Sequence, residues 1–85
     1  MEITIECFGA FRNFGDEVSV TLHGDITVSD LRGHFYDALQ KIDTNFDNKN
    51  LLERSRFATD TEVLADNAPL TKSMRLAIIP PVSGG

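Results

Sequence analysis

An 85-residue chain with 41% hydrophobic and 25% charged residues has room for one domain around one core, near the lower size at which such a core sustains itself. Its single cysteine excludes an intramolecular disulfide and a multi-cysteine metal site, which fits a reducing, cytoplasmic setting. The net charge of −5 argues against nucleic acid and anionic membranes as partners, and no apolar run approaches the ~18 residues of a membrane span.

Ile3, Ile5 and Cys7 alternate with Glu2, Thr4 and Glu6, the period-two pattern of a strand buried on one face. Gly9 to Asp16, with two glycines and an asparagine, reads as a loop. Val18, Val20 and Leu22 alternate with Ser19 and Thr21, so a second strand returns to make a hairpin, and Gly24-Asp25 marks the next turn. Thr27-Val28-Ser29-Asp30 predicts a helix start: the threonine hydroxyl accepts from the Asp30 N–H, and the carboxylate suits the positive end of the helix dipole. Val28, Leu31, Phe35, Leu39 and Ile42 then form one apolar stripe. Gly33 lies off it and costs the helix about 1 kcal/mol relative to alanine. Asp43 to Asn50 is polar and reads as an irregular connection. Short strands are expected at Arg56–Thr59 and Glu62–Leu64, then a turn at Asp66–Pro69. Met74, Leu76 and Ile78 alternate with Arg75, Ala77 and Ile79 in a last strand, which Pro80 stops because it cannot donate to a ladder.

The first and last strands are the most apolar, so they are expected to be central and paired. One helix across a mixed sheet would then bury Ile3, Ile5, Val18, Val20, Leu31, Phe35, Leu39, Leu76 and Ile78. This is an α+β arrangement with a domain at 1–79 and a flexible tail at 80–85. Its β-grasp (ubiquitin-like) form comes partly from the pattern and partly from the resemblance described below.

Within the domain nothing resembles an active site. Cys7 shares the inward face of Ile3 and Ile5, where a thiol packs as a small apolar group. His23 and His34 lack a cysteine partner, and Asp25, Asp30 and Asp37 lack the spacing of a calcium loop, so no metal site is expected. Phe8 and Ile79 alternate outward and predict an exposed docking patch. Phe11 and Phe14 fit either that patch or a cover over the hairpin loop. An isolated Gly-Gly marks a frayed end or a linker. Here it follows an apolar strand and a Pro-Pro brace, and reads as a thread thin enough for a channel closed to residues with a Cβ.

The ending Pro80-Pro81-Val82-Ser83-Gly84-Gly85 resembles that of the small, sulfur-carrying subunit of molybdopterin synthase, a ubiquitin-like family. Phe8-Gly9-Ala10-Phe11-Arg12, Thr27-Val28-Ser29-Asp30-Leu31-Arg32 and Ala68-Pro69-Leu70 resemble its segments after the first strand, at the helix start and before the last strand. Thr71-Lys72-Ser73-Met74-Arg75 and the stretch from Arg56 to Leu64 depart from the family pattern. The resemblance implies a protein that is non-catalytic alone and binds no cofactor. Its Gly85 is the reactive group, carried transiently as a glycyl adenylate and then a thiocarboxylate, and Pro80, Pro81, Val82, Ser83 and Gly84 form the channel-threading tail. Implied partners are an ATP-dependent adenylyltransferase of the ubiquitin-activating type and the large synthase subunit, in a heterotetramer of two small and two large subunits. Phe8, Arg12 and Ile79 are candidates for the docking surface. Rival readings are a sulfur carrier of thiamine biosynthesis, whose tails usually lack the double proline, a ubiquitin-like protein modifier, and an interaction module with an inert tail.

Overall fold

In the computed structural model, which describes residues 1–81, strand β1 (Glu2–Cys7) lies between the antiparallel β2 (Glu17–Thr21) and the parallel β6 (Met74–Ile79). Strand β4 (Arg56–Ala58) adds to the far side of β6, giving the order β2-β1-β6-β4. The two most apolar strands are thus central and paired, as their composition requires. Ile3, Ile5, Cys7, Leu76 and Ile78 all point to one face and are buried. Helix α1 (Val28–Ile42) packs on that face through Val28, Leu31, Phe35 and Leu39. A two-residue pairing of β3 (Ile26–Thr27) with β5 (Pro69–Leu70) closes the end of the molecule where α1 begins.

The hydrogen bonds at the start of α1 account for its boundary. Thr27 Oγ1 accepts from the Asp30 N–H at 3.3 Å, and Asp30 Oδ2 accepts from the Thr27 N–H at 3.1 Å. The carbonyls of Ala68 and Asp66 take the N–H groups of Val28 and Ser29 at 3.0 and 2.8 Å. Donors left without intrahelical partners in the first turn are therefore satisfied. The Thr27 N–H, then its hydroxyl, holds the Asp30 carboxyl below the usual carboxylate range.

The 9–16 connection differs from the expected loop, because Gly9–Phe14 forms a 3-10 helix that drives Phe11 into the core. Phe11, Phe35 and Phe57 meet in series, the first pair tilted and the second edge-to-face, with centroids 5.9 and 5.8 Å apart, and all three are fully buried. Phe14 meets the edge of Phe46 at 5.1 Å. Both phenylalanines of the connection thus cover the core and do not join an external patch. Truncating a buried ring of this kind to alanine costs about 3–5 kcal/mol.

Four further expectations are corrected. The connection read as irregular from Asp43 to Asn50 gives way at Lys49 to a second helix, α2 (Lys49–Arg54), whose cap, Asn48, accepts from the Leu51 N–H at 3.0 Å. Arg32 holds α2 in place, donating to the Leu52 carbonyl at 2.7 Å and to Asp66 Oδ1 at 3.0 Å while lying over the Phe57 ring. The Glu62–Leu64 segment makes only a single bridge, Ala58 to Val63. Pro69 belongs to β5 and not to the preceding turn. Ile42 has the azimuth of the apolar stripe but is 54% exposed, because the last turn of α1 lies beside β2, an edge strand with no neighbour beyond it.

Two stability predictions follow from α1. A methyl at Gly33 would meet nothing within 4 Å, and no contact in the structure requires glycine there. Gly33→Ala should therefore raise unfolding stability by about 0.5–1 kcal/mol, measured by urea denaturation, and a destabilised variant contradicts this. Because the native carboxyl of Asp30 titrates below its unfolded counterpart, its contribution is present above the unfolded value and is lost as pH falls through the native one. Asp30→Asn should be less stable than wild type at neutral pH, with the gap closing on acidification; a gap constant into acid would contradict the assignment.

Candidate functional site

The parallel register of β1 and β6 decides what surrounds the base of the chain end. Ile3 pairs with Met74, Ile5 with Leu76 and Cys7 with Ile78. Extended by one residue, the same register sets Phe8 alongside Ile79, and by two it sets Gly9 alongside Pro80. Phe8 and Ile79 are 43% and 42% exposed, so the outward orientation expected from alternation is present and the two form neighbouring parts of one apolar surface. Phe8 is extended, at φ −124 and ψ 156, and immediately precedes the 3-10 helix.

Arg12 follows on that helix with its side chain 60% exposed, and Nη2 donates to Asp16 Oδ1 at 3.1 Å. An exposed i,i+4 pair of this kind adds little stability, which leaves the guanidinium free to exchange partners. Pro80 is half-buried against Gly9 and Pro81 is half-buried beyond it. Val82, Ser83, Gly84 and Gly85 lie outside the described residues.

Sequence reasoning missed Gly9. A Cβ there would come 2.7 Å from Pro80 Cγ, and its φ of +57 falls in the left-handed region that favours glycine. The contact joins positions 71 residues apart, and only the strand pairing brings them together. Arg75 lies in the segment that departs from the family pattern. It bonds Glu6 Oε1 at 2.6 Å and Glu17, so it ties β6, β1 and β2 together across the open face of the sheet. Ser73, in the same segment, accepts from the Glu2 N–H at 2.8 Å and pins the start of the parallel pair.

Cys7 lies directly before Phe8 but is 2% exposed, its Sγ pointing at the Ile5 carbonyl at 3.7 Å. Burial pushes its thiol above the ordinary range, with the nearby Arg12 opposing. His23 and His34 are both on the surface. Among the described residues no helix is long and apolar enough to cross a membrane.

A mixed sheet with a parallel central pair, one main helix across it and a chain end leaving the central strand defines the ubiquitin-like β-grasp class. The ThiS family model matches residues 5–85, and the chain belongs to this family of ubiquitin-like sulfur carriers, which work with partner enzymes. No curated protein matches it. Among solved structures, it is similar to SAMP1 from Haloferax volcanii, with a TM-score of 0.72 at 24% identity over 100% of both chains. A second structure of the H. volcanii small archaeal modifier protein 1 gives 0.71 at 21% identity, over 95% of this chain and 98% of the other. The ubiquitin-like domain of Plasmodium falciparum Dsk2 gives 0.59 at 17% identity, over 95% and 97%. At these identities the likeness establishes the fold.

The buried thiol yields a chemical prediction. Cys7 in the native protein should react with an alkylating reagent at pH 8 no faster than the protein opens, and Cys7→Val should be carried through sulfur loading unchanged. Rapid alkylation of the folded protein would contradict the burial described.

Proposed function

We propose that this chain is the sulfur carrier of a molybdopterin synthase, delivering sulfur from a thiocarboxylate at Gly85. The observation that carries the reading is the hexapeptide Pro80-Pro81-Val82-Ser83-Gly84-Gly85 placed directly after the central strand β6. The tails of thiamine-pathway sulfur carriers usually lack that double proline. The family match runs through Gly85 and supports carriage in general, for molybdenum cofactor and thiamine alike.

The chemistry assigns distinct roles to the parts. A carboxylate resists nucleophiles because resonance and negative charge protect its carbon. An activating enzyme has the Gly85 carboxylate attack the α-phosphorus of ATP, releasing pyrophosphate and leaving an acyl adenylate. A persulfide sulfur then displaces AMP, and a thiol reduces the resulting sulfur–sulfur bond to free the thiocarboxylate. This group is more nucleophilic at sulfur than the carboxylate is at oxygen. Inserted into the large subunit, its sulfur attacks the bound pterin precursor in place of a leaving oxygen, water cleaves the acyl–sulfur bond to return the Gly85 carboxylate, and two such transfers build the dithiolene. Gly84 and Gly85 allow the tail into both active sites. Pro80 and Pro81 stiffen its base and reduce the entropy lost on insertion. Phe8, Ile79 and Arg12 dock the body, an apolar pair with a cation at its rim matching the usual anatomy of a transient interface.

The similarity to a small archaeal modifier protein favours one second reading, attachment of Gly85 to lysines of other proteins. The acyl adenylate serves both readings; the nucleophile that follows separates them.

Gly84→Trp should fold with wild-type stability yet lose adenylation or transfer, and deletion of Gly85 should abolish sulfur delivery without lowering Tm. Reconstitution with the large subunit and pterin precursor reads the outcome. Dithiolene formed by the truncated chain would refute the reading, whereas isopeptide conjugates without dithiolene would move it to the modifier.

A further inference from the structure

Gly9 combines two constraints that no other residue type meets together. Its φ of +57 is open to glycine and, at modest cost, to asparagine. A side chain of any kind, however, would place its Cβ 2.7 Å from Pro80 Cγ and 3.6 Å from Cδ. Carbon atoms settle at about 3.5–4.0 Å, so Pro80 Cγ would have to give by roughly 1 Å, while Cδ and Cβ are already at ordinary contact. The other glycines of the described region carry no such restraint: Gly15 faces only a carbonyl at 3.9 Å, and Gly24 and Gly33 face nothing within 4 Å.

Proline transmits whatever part of that displacement repuckering of Cγ does not absorb. Its ring locks φ near −65°, so the position of the ring and the direction of the next peptide are coupled. Pro80 is also the first residue after β6, where ladder hydrogen bonds no longer hold the backbone. Contact with Gly9 is the restraint that takes over from the ladder at this point, and the Cys7–Ile78 pair two residues earlier fixes which residue supplies it.

We propose that Gly9 is a positioning residue at the base of the tail: its bare backbone is the seat on which Pro80 rests, and this seat sets the direction in which the chain passes from Pro80 to Pro81. The role rests on the carrier reading, since it concerns how a partner receives the chain end. It predicts a loss in productive encounter while the fold and the chemistry of Gly85 stay intact. A displacement of about 1 Å at a site of this kind costs on the order of ten- to hundredfold in kcat/KM.

The test compares wild type, Gly9→Asn, Pro80→Ala and the double variant in ATP-dependent loading by an activating enzyme from the same source. Tm and the NOE between Gly9 and the Pro80 ring protons are measured on the same samples. Asparagine tolerates the left-handed φ, so it isolates the collision from backbone strain. The expected results are an NOE in wild type, unchanged Tm for Gly9→Asn within a few degrees, and a KM for the carrier raised about tenfold or more at near-constant kcat. The double variant should recover to the level of Pro80→Ala alone, because alanine at 80 keeps only the Cβ, which stands 3.9 Å from the added atom. Loading of Gly9→Asn at the wild-type KM overturns the proposal, as does a double variant whose KM stays above that of Pro80→Ala alone. Should Gly9→Asn fail to fold, Pro80→Ala decides alone, an unchanged KM counting against the seat. A folded wild type with no Gly9–Pro80 NOE overturns the geometry. A wild type that shows the NOE but is never loaded defeats the carrier reading, and the positioning role with it.

Discussion

The parallel pairing of β1 with β6 is the constraint on which the rest of this molecule depends. It joins the two ends of the sequence at the centre of the sheet, in the register Ile3 to Met74 through Cys7 to Ile78. A slip of one residue would turn Leu76 and Ile78 to the open face and leave α1 facing Arg75 and Ala77. Ordered side chains guard against that slip at both ends of the pair. Ser73 holds the Glu2 N–H at the start, and Arg75 spans Glu6 and Glu17 on the outer face. The same register carries Phe8 to Ile79 and Gly9 to Pro80, so one interaction builds the core and brings Gly9 against Pro80.

Helix α1 and the aromatic series serve that pairing. A domain of this size has little apolar surface to spare, and the inward 3-10 helix adds Phe11 to a core that strands and helix alone would leave thin. Arg32 links α1, α2 and the loop at Asp66 through three hydrogen bonds and the Phe57 ring, so the weakly patterned half of the chain is tied to the strongly patterned half. The result is a body that sets two of its exposed apolar side chains, Phe8 and Ile79, at the same strand end. This is the form expected of a handle whose chemistry takes place in a partner.

What could be read from the sequence was set by local periodicity. The alternation in β1, β2 and β6, the Thr27–Asp30 capping box and the stripe from Val28 to Leu39 each state their structure within a few residues. The outward Phe8 and Ile79 followed from the same alternation. Helix α2 was hidden because six residues hold fewer than two turns and only Leu52 is buried. Phe11 could not be placed, since two glycines and an asparagine are equally at home in a loop. Ile42 obeys its period and is exposed for want of a strand beyond β2, a fact of sheet extent and not of sequence pattern. Gly9 and Pro80 meet across nearly the whole chain, and nothing local to either announces the contact.

On the proposed function, Gly85 bears the sulfur and the folded body is its handle. Intact-mass spectrometry of the native protein, purified without acid or strong nucleophiles, addresses it most directly. A fraction heavier by one oxygen-to-sulfur exchange, with fragmentation placing the sulfur on Gly85, is the predicted result. Sulfur found on Cys7, or a mass that never departs from the plain carboxylate even after incubation with ATP, activating enzyme and a persulfide donor, would contradict it.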